Sequence, residues 1–546
     1  MKNIVISNNK KLKETLVLIS IFVFIFLSIF SPRSLSAASS EKPEATIEVR
    51  LLDVIRMAVE KDAAIKVYKS REISAAAGVL SAEAQFDPNV KASVSRSLDY
   101  TPLSEDQKKV YRQSGAPDLT KLKQGAFSYS AGYEKRYRSG ISISPSVTVS
   151  TVESNDPQNR VPVTSGKVSF ALIKPLGRGN GSKVNRAYEY SSRIELESAS
   201  LDSLYTVSQT VRAAILAYWN YAYAYKALKI AEDSKIRAEK IYNDTKTLVE
   251  GFEVPPAELD QLMANLNQKL AECARASQNM LQALNGLKAA AGVSNDSSLI
   301  SGPPADFFPA GRITGDTLET SALAKIMLEF AMANRKDYAA AKKRLESYQF
   351  TIPAAQDALK PQTDLQIAAG YNGRKDDKGA AAVFSSLREG VPGTNVSAAV
   401  SYSFPIGNKS ARAEVIRQQE QLAQAKIKAE EISRQMNIAI DTRVNAVASI
   451  ISRYKLMIES GRLYSKALEN EKEKHQMGVS TLMDVLNLED RLGQAELALE
   501  AAVFEYASAI TDLRFEAGCL GRMGTSECEI KIEDLISLPD VTNIEK

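Results

Sequence analysis

Two stretches of this chain, Arg186–Gly251 and Arg412–Gly478, run to nearly equal lengths without a proline. At about 1.5 Å per residue, each predicts a helix roughly 100 Å long, several times the span of an ordinary globular helix. A helix of that length cannot be buried by a compact domain and must lie beside other long helices. Small and apolar residues recur along the first arm in steps of three and four: Leu201, Leu204, Ser208, Val211, Ile215, Tyr218, Ala222 and Tyr225. That spacing is coiled-coil-like, and its alanines let neighbouring helices approach closely.

The arms hold matching places in a chain that reads as built twice. An Ala-rich amphipathic helix over Leu51–Val90 ends at Phe86-Asp87-Pro88, and residues 321–361 echo it, with Pro361 matching Pro88. After each proline come alternating segments that end in Pro175-Leu176-Gly177 or Pro405-Ile406-Gly407, and then an arm. Gly251 and Gly478 interrupt the arms, and second helices close the halves at Gly292 and Gly518. Matched intervals of this kind imply a duplicated helix–strand–strand–long helix–helix unit. The expected divisions are a first repeat at 45–300 with long helices at 183–292, a linker at 301–316, a second repeat at 317–520 with long helices at 408–518, and a tail at 521–546.

Strands are expected near 88–98, 166–174, 363–372 and 395–404. In the last, Val396, Ala398, Val400, Tyr402 and Phe404 alternate with Ser397, Ala399, Ser401 and Ser403. Period two gives one apolar and one small, polar face, which suits tilted strands in a membrane barrel. A further hairpin, Phe127–Tyr133 with Ile141–Val152, lies in the insertion 100–165. It is expected to enlarge an outer loop, the alternative being that it adds barrel strands. Closed membrane barrels need about eight strands or more. One chain offers four or six, so the expected fold is mostly α with a β-barrel portion shared between chains.

Charge and composition limit the chemistry. The 546-residue chain carries 69 Lys and Arg against 65 Asp and Glu. Lys2, Lys10, Lys11, Lys13 and Arg33, against Glu14 alone, account for the whole excess. They flank the apolar run Leu16–Phe30, which small residues follow. Residues 1–38 are therefore expected to be a cleaved export signal, and the basic pI carries no nucleic-acid reading. One His, one Trp and three Cys leave little for a metal site or a His-based triad. No enzyme, cofactor or metal is expected. Gly177-Arg178-Gly179-Asn180-Gly181 has neither dinucleotide-fingerprint nor P-loop spacing and reads as a strand-to-helix hinge. Cys519 and Cys528 could bond in an oxidising periplasm, but spacing alone leaves that open.

The element order, given twice behind an export signal, resembles the outer-membrane efflux protein (TolC-like) family over about residues 47–520. Gly251-Phe252-Glu253-Val254-Pro255 and Met477-Gly478-Val479-Ser480-Thr481 look like that family's helix–helix turns at the periplasmic tip. The resemblance implies a homotrimer with a twelve-stranded barrel, four strands per chain, above an α-helical tunnel. It implies a passive outer-membrane exit duct of a tripartite efflux pump or type I secretion system in a Gram-negative-type envelope. A periplasmic adaptor and an inner-membrane transporter would be its partners. Gly251, Val254, Pro255, Gly478, Val479 and Ser480 would form the adaptor-docking tips, and Asp484, Glu258 and Asn487 would lie at the constriction. For Asp484 a second reading stands beside the pore role, because Thr481-x-x-Asp484 is also a capping-box pattern. The alternative function is a periplasmic coiled-coil scaffold or adaptor without a pore. Nothing in the sequence selects drugs, metals or polypeptides as cargo.

Overall fold

A computed structural model describes residues 48–546 apart from 117, 158–160, 252–255, 295–299, 301, 310–319, 379–384, 386–387, 389–392, 521, 524–527 and 530–546. The expected export signal and most of the tail lie outside the described residues. So do Val254 and Pro255 of the first tip.

The chain is mostly helical and carries one large sheet. Helices α1 (Leu51–Lys61) and α2 (Ala63–Glu83) lead into β1 (Asn89–Pro102). A short helix, α3 (Glu105–Gln113), precedes β2 (Lys121–Arg136), β3 (Ser142–Ser154) and β4 (Val163–Pro175). Then come α4 (Ser182–Asn185), the 64-residue α5 (Ala187–Glu250) and α6 (Ala257–Ala290). The second half has α7 (Thr320–Asn334), α8 (Lys336–Asp357), β5 (Gln362–Lys375) and β6 (Gly393–Ser403). It continues with the 68-residue α9 (Lys409–Gln476) and α10 (Leu482–Glu516), followed by a short pair, β7 (Arg522–Met523) and β8 (Cys528–Glu529). At about 1.5 Å per residue, α5 and α9 each extend roughly 100 Å from the sheet.

The large sheet is an antiparallel meander in the order β1-β2-β3-β4-β5-β6. This corrects the expectation for the hairpin within 100–165. β2 lies against β1 and β3 against β4 along nearly their whole lengths, so the hairpin is part of the sheet and not an outer loop. The count of four strands per chain becomes six. The physical reason is register. Pairing Asn89 with Glu134 and Ser142 with Ile173 sets a register that brings most of the large apolar residues, Ile173 excepted, to one face, and a slip of one residue would invert them.

Below the sheet, α2, α5, α8 and α9 lie side by side in that order. Farther down, α6 packs on α5, α10 packs on both α9 and α5, and α7 packs on α9. The main core is a waist between these regions. Val54 and Ile55 of α1, Ile215 and Tyr218 of α5, Leu287 of α6, Met327 of α7, Val444 of α9 and Ile510 of α10 are buried in one cluster there. A chain of aromatic contacts, Tyr218–Trp219–Phe308–Tyr506, crosses it at centroid distances of 5.4, 5.6 and 5.6 Å.

Part of the expected linker belongs to that core. Phe308 is buried, as is Ile300 just before the linker, and Pro304 bridges to Val49. The Tyr218 hydroxyl donates to the Val49 carbonyl at 3.0 Å and accepts from the Asp306 amide at 2.9 Å. Tyr221 donates to the Gly302 carbonyl at 2.8 Å, and the Asp306 carboxylate takes the Leu51 amide at 2.8 Å, capping the start of α1, where Arg50 makes no side-chain cap. Burial pushes the Tyr221 hydroxyl up to about 12, so it stays a neutral donor.

Two glycines hold matching positions at the waist. Gly292 follows α6 with φ 67° and packs on the break between α1 and α2; Gly518 follows α10 with φ 71° and packs on the break between α7 and α8. A Cβ on Gly518 would lie 3.1 Å from the Arg335 nitrogen. Arg335 is pinned there by Asp337 at 2.9 Å and by Glu516.

Candidate functional site

The six strands sort most of their residues onto two faces, with Arg96 of β1 the mid-strand exception on the largely apolar one and Ile173 of β4 an exception on the largely polar one. One face carries Val90, Val94 and Leu98 of β1, Phe127, Tyr129 and Tyr133 of β2, and Val147 and Val149 of β3. It continues through Val168, Phe170 and Leu172 to Leu365, Ile367 and Tyr371, and ends on Val396, Val400 and Tyr402. The opposite face carries Lys91, Ser93, Ser95 and Ser97, then Ser128 and Ser130, and Ser146, Thr148 and Ser150. It continues through Lys167 and Ser169 to Gln366 and Asn372, and ends on Asn395, Ser397 and Ser401. Hydroxyls link neighbouring strands on this second face, Ser93 with Ser130 at 2.7 Å and Ser146 with Ser169 at 2.8 Å. Large apolar side chains on the first face stand in the open, among them Val396 at 79% exposure and Val90 at 76%. Such a face is stable against hydrocarbon and costly against water. Among the described residues, no helix is long and apolar enough to cross a membrane.

The sheet is locked to the helices by a charged junction that the sequence did not reveal. Glu189, in the first turn of α5, has a side chain only 1% exposed. Arg138, from the β2–β3 turn, donates to it at 2.9 Å; Arg186 and Arg193 reach it at 3.3 and 3.0 Å. The Arg138 guanidinium holds the Glu189 carboxyl below the usual carboxylate range, with Arg186 assisting against the opposing effect of burial. Beside it, Arg136 donates to Asn185 at 2.6 Å, and Asn185 donates to the Gly179 and Gly181 carbonyls at 2.7 and 2.8 Å. The glycine-rich stretch 177–181 does hold an anion, but it is one of the chain's own: the Gly179 amide donates to the buried Asp357 carboxylate at 2.6 Å.

At the far end, α5 turns into α6 and α9 into α10. Gly251 ends α5, its amide donating to the Thr247 carbonyl at 3.0 Å. Gly478 takes φ 74° in the second turn, a conformation that needs glycine. His475 Nδ1 lies 3.0 Å from the Ser480 carbonyl, which only accepts, so this nitrogen carries the hydrogen. Ser480 donates to Glu471 at 2.5 Å and, with Lys474, holds that carboxyl below its usual range. The tip presents apolar groups outward, Val479 at 76% and Met477 at 69% exposure.

Asp484 sits in the first turn of α10, and its carboxylate closes a capping box. The Thr481 hydroxyl donates to it at 2.5 Å, and the Asp484 amide donates to that hydroxyl at 3.3 Å. The Thr481 contacts hold its carboxyl below the usual range. Asp484, Asn487 and Glu258 are all exposed, the first two one turn apart on α10 and Glu258 in the first turn of α6. Cys519 is a free thiol whose hydrogen points to the Arg514 carbonyl at 3.5 Å. The Cys528 side chain lies outside the described residues.

A sheet with one lipid-compatible and one polar face, standing on helices of about 100 Å, is the TolC-like outer-membrane channel fold. No protein-family model and no curated protein sequence matches the chain, but solved channels do. The Campylobacter jejuni CmeC outer membrane channel aligns with a TM-score of 0.61 at 15% identity, over 86% of this chain and 85% of that one. For VceC, an outer membrane protein of Vibrio cholerae, the TM-score is 0.60 at 16% identity, over 86% of this chain and 96% of that one. For the Neisseria gonorrhoeae MtrE outer membrane channel it is 0.57 at 16% identity, over 86% and 89%. At these identities the likeness is one of fold.

Proposed function

We propose that three copies of the chain form a passive exit duct across the outer membrane and periplasm, serving a tripartite efflux pump or a type I secretion system. The observation that carries this reading is that all six strands turn a largely apolar side to one face and a largely polar side to the other. A soluble scaffold or adaptor would have to hide the apolar face, and among the described residues Val90, Val94, Val396 and Val400 on it stand exposed. The helical layer, read as the product of a duplicated unit, becomes a tunnel wall. The tips around Gly251 and Gly478, with Val479 and Ser480, dock a periplasmic adaptor that links the duct to an inner-membrane transporter. Asp484 rings the tunnel mouth, with Asn487 and Glu258 beside it, and three like charges on one axis favour cations. Selection of cargo rests with the partners.

Detergent extraction of the outer membrane, followed by planar-bilayer recording, tests this reading. A heat-modifiable oligomer that conducts ions is the expected result. A water-soluble protein without conductance would favour the scaffold instead.

A further inference from the structure

The hairpin β2–β3 changes what one chain brings to a barrel. Resting on the exit-duct reading, we propose that β6 of one copy pairs antiparallel with β1 of the next, and that three copies close an eighteen-stranded barrel, the hairpin of each copy included.

The hairpin is built as wall. Its residues continue both faces of the sheet in register, and its turn lies at the helix end, where Arg138 grips Glu189. A Cβ on Gly140 in that turn would fall 2.5 Å from the Gly179 carbonyl, so the turn is seated closely. Inserting two strands also keeps the edges compatible. β1 runs away from the helices and β6 runs toward them, so placing one beside the other extends the antiparallel order. In hydrocarbon, an open edge would leave a row of amides and carbonyls unpaired.

Widths agree as well. Six strands about 4.8 Å apart and tilted about 40° cover roughly 38 Å, whereas four would cover roughly 25 Å. The four helices beneath, about 10 Å apart, cover roughly 40 Å. Sheet and helical layer can therefore close about one axis with the same number of copies.

The helices at the two borders match each other. α2 exposes Lys66, Ile73 and Leu80, and α9 exposes Ile416, Ile427 and Glu430. At about 1.5 Å per residue, Leu80 and Ile416 both lie roughly 10 Å below the sheet, and Lys66 and Glu430 both lie roughly 30 Å below it. Apolar groups thus meet near the sheet, and farther down Lys66 comes level with Glu430, which Lys426 of its own helix approaches at 3.9 Å. The occupant of each border is a second copy of this chain.

Cysteine pairs test the proposal in native outer membranes, with Cys273, Cys519 and Cys528 replaced by Ala. Ser93→Cys on β1 is combined with Ser130→Cys on β2, with Ser169→Cys on β4, or singly with cysteine at Asn395, Ser397, Ala399 and Ser401 on β6. After mild oxidation, the Ser93–Ser130 pair should crosslink within the chain. At least one β6 position should give a ladder of covalent dimer and trimer. A membrane trimer in which Ser93 crosslinks to Ser169 and not to Ser130 would place the hairpin outside a twelve-stranded barrel; the proposal would then fail while the exit-duct reading stood. A trimer giving no crosslink from any of the four β6 positions would also overturn it. A water-soluble monomer would sink both.

Discussion

Glu189 is a buried carboxylate that answers to three arginines from two elements, and its protonation state affects how the sheet stands on the helices. Because its folded pKa is depressed, chiefly by Arg138, its contribution is fully present above the unfolded carboxylate value of about 4.3 and is lost as pH falls through the lower folded value. Glu189→Gln should cost about 1–3 kcal/mol by leaving the arginines without their shared anion, and should flatten the acid limb of stability. Thermal unfolding followed from pH 7 down to pH 3 checks both. Asp484 presents the opposite situation, an exposed carboxylate held by its own helix cap. The Thr481 contacts hold its carboxyl below the usual range and so oppose the mutual repulsion of three copies on one axis; cation preference of the reconstituted channel should persist at pH 5. In Asp484→Asn that preference should fall, while the helix keeps its cap because the amide oxygen still accepts from Thr481. Unchanged ion selectivity in the variant would remove Asp484 from the constriction.

Among the elements, the long helices and the alternating strands were legible because their periods, about 3.6 and 2, are local properties of the sequence. The tip turn was legible too, since Gly478 marks a positive φ and Thr481-x-x-Asp484 a helix start. The hairpin's place was not. A strand pair carries the same alternation whether it stands in a wall or projects beyond it, and only pairing with β1 and β4 decides. The junction was hidden for a related reason: Arg138 and Glu189 lie 51 residues apart, and Gly179 and Asp357 lie 178 apart. Asp484 shows the reverse, since its cap could be read locally while its distance from a symmetry axis could not. Two glycines of α10 and its C-terminal stop separate backbone demand from helix propensity. Gly493 has open space around its Cβ position inside the helix, and Gly493→Ala should stabilise by about 1 kcal/mol. Gly518→Ala meets a positive φ and the Arg335 backbone and should destabilise by at least that much. Paired denaturation curves of the two variants should move in opposite directions.

At the scale of the whole molecule, the two faces of the sheet should respond differently to the same charge. Val168→Lys puts an ammonium on the apolar face near mid-strand and should cost about 2–4 kcal/mol of insertion, read as loss of membrane-bound oligomer. Ser169→Lys, one residue along and on the polar face, should insert as the parent does. Equal behaviour of the two would dissolve the distinction on which the duct rests. The waist has a mechanical meaning as well. Tyr218 and Tyr221 tie the crossing segment to α5 through buried hydroxyls, and about 50 Å of helix hangs below that tie before Gly251. The arm is a lever with its fulcrum in the aromatic cluster. A tilt of about 6° there carries the tip through roughly 5 Å, comparable with the width of one helical turn. Small strains admitted at the waist are therefore magnified at the tip turns, and the stiffness of a few tyrosine contacts sets how far that distant end can wander.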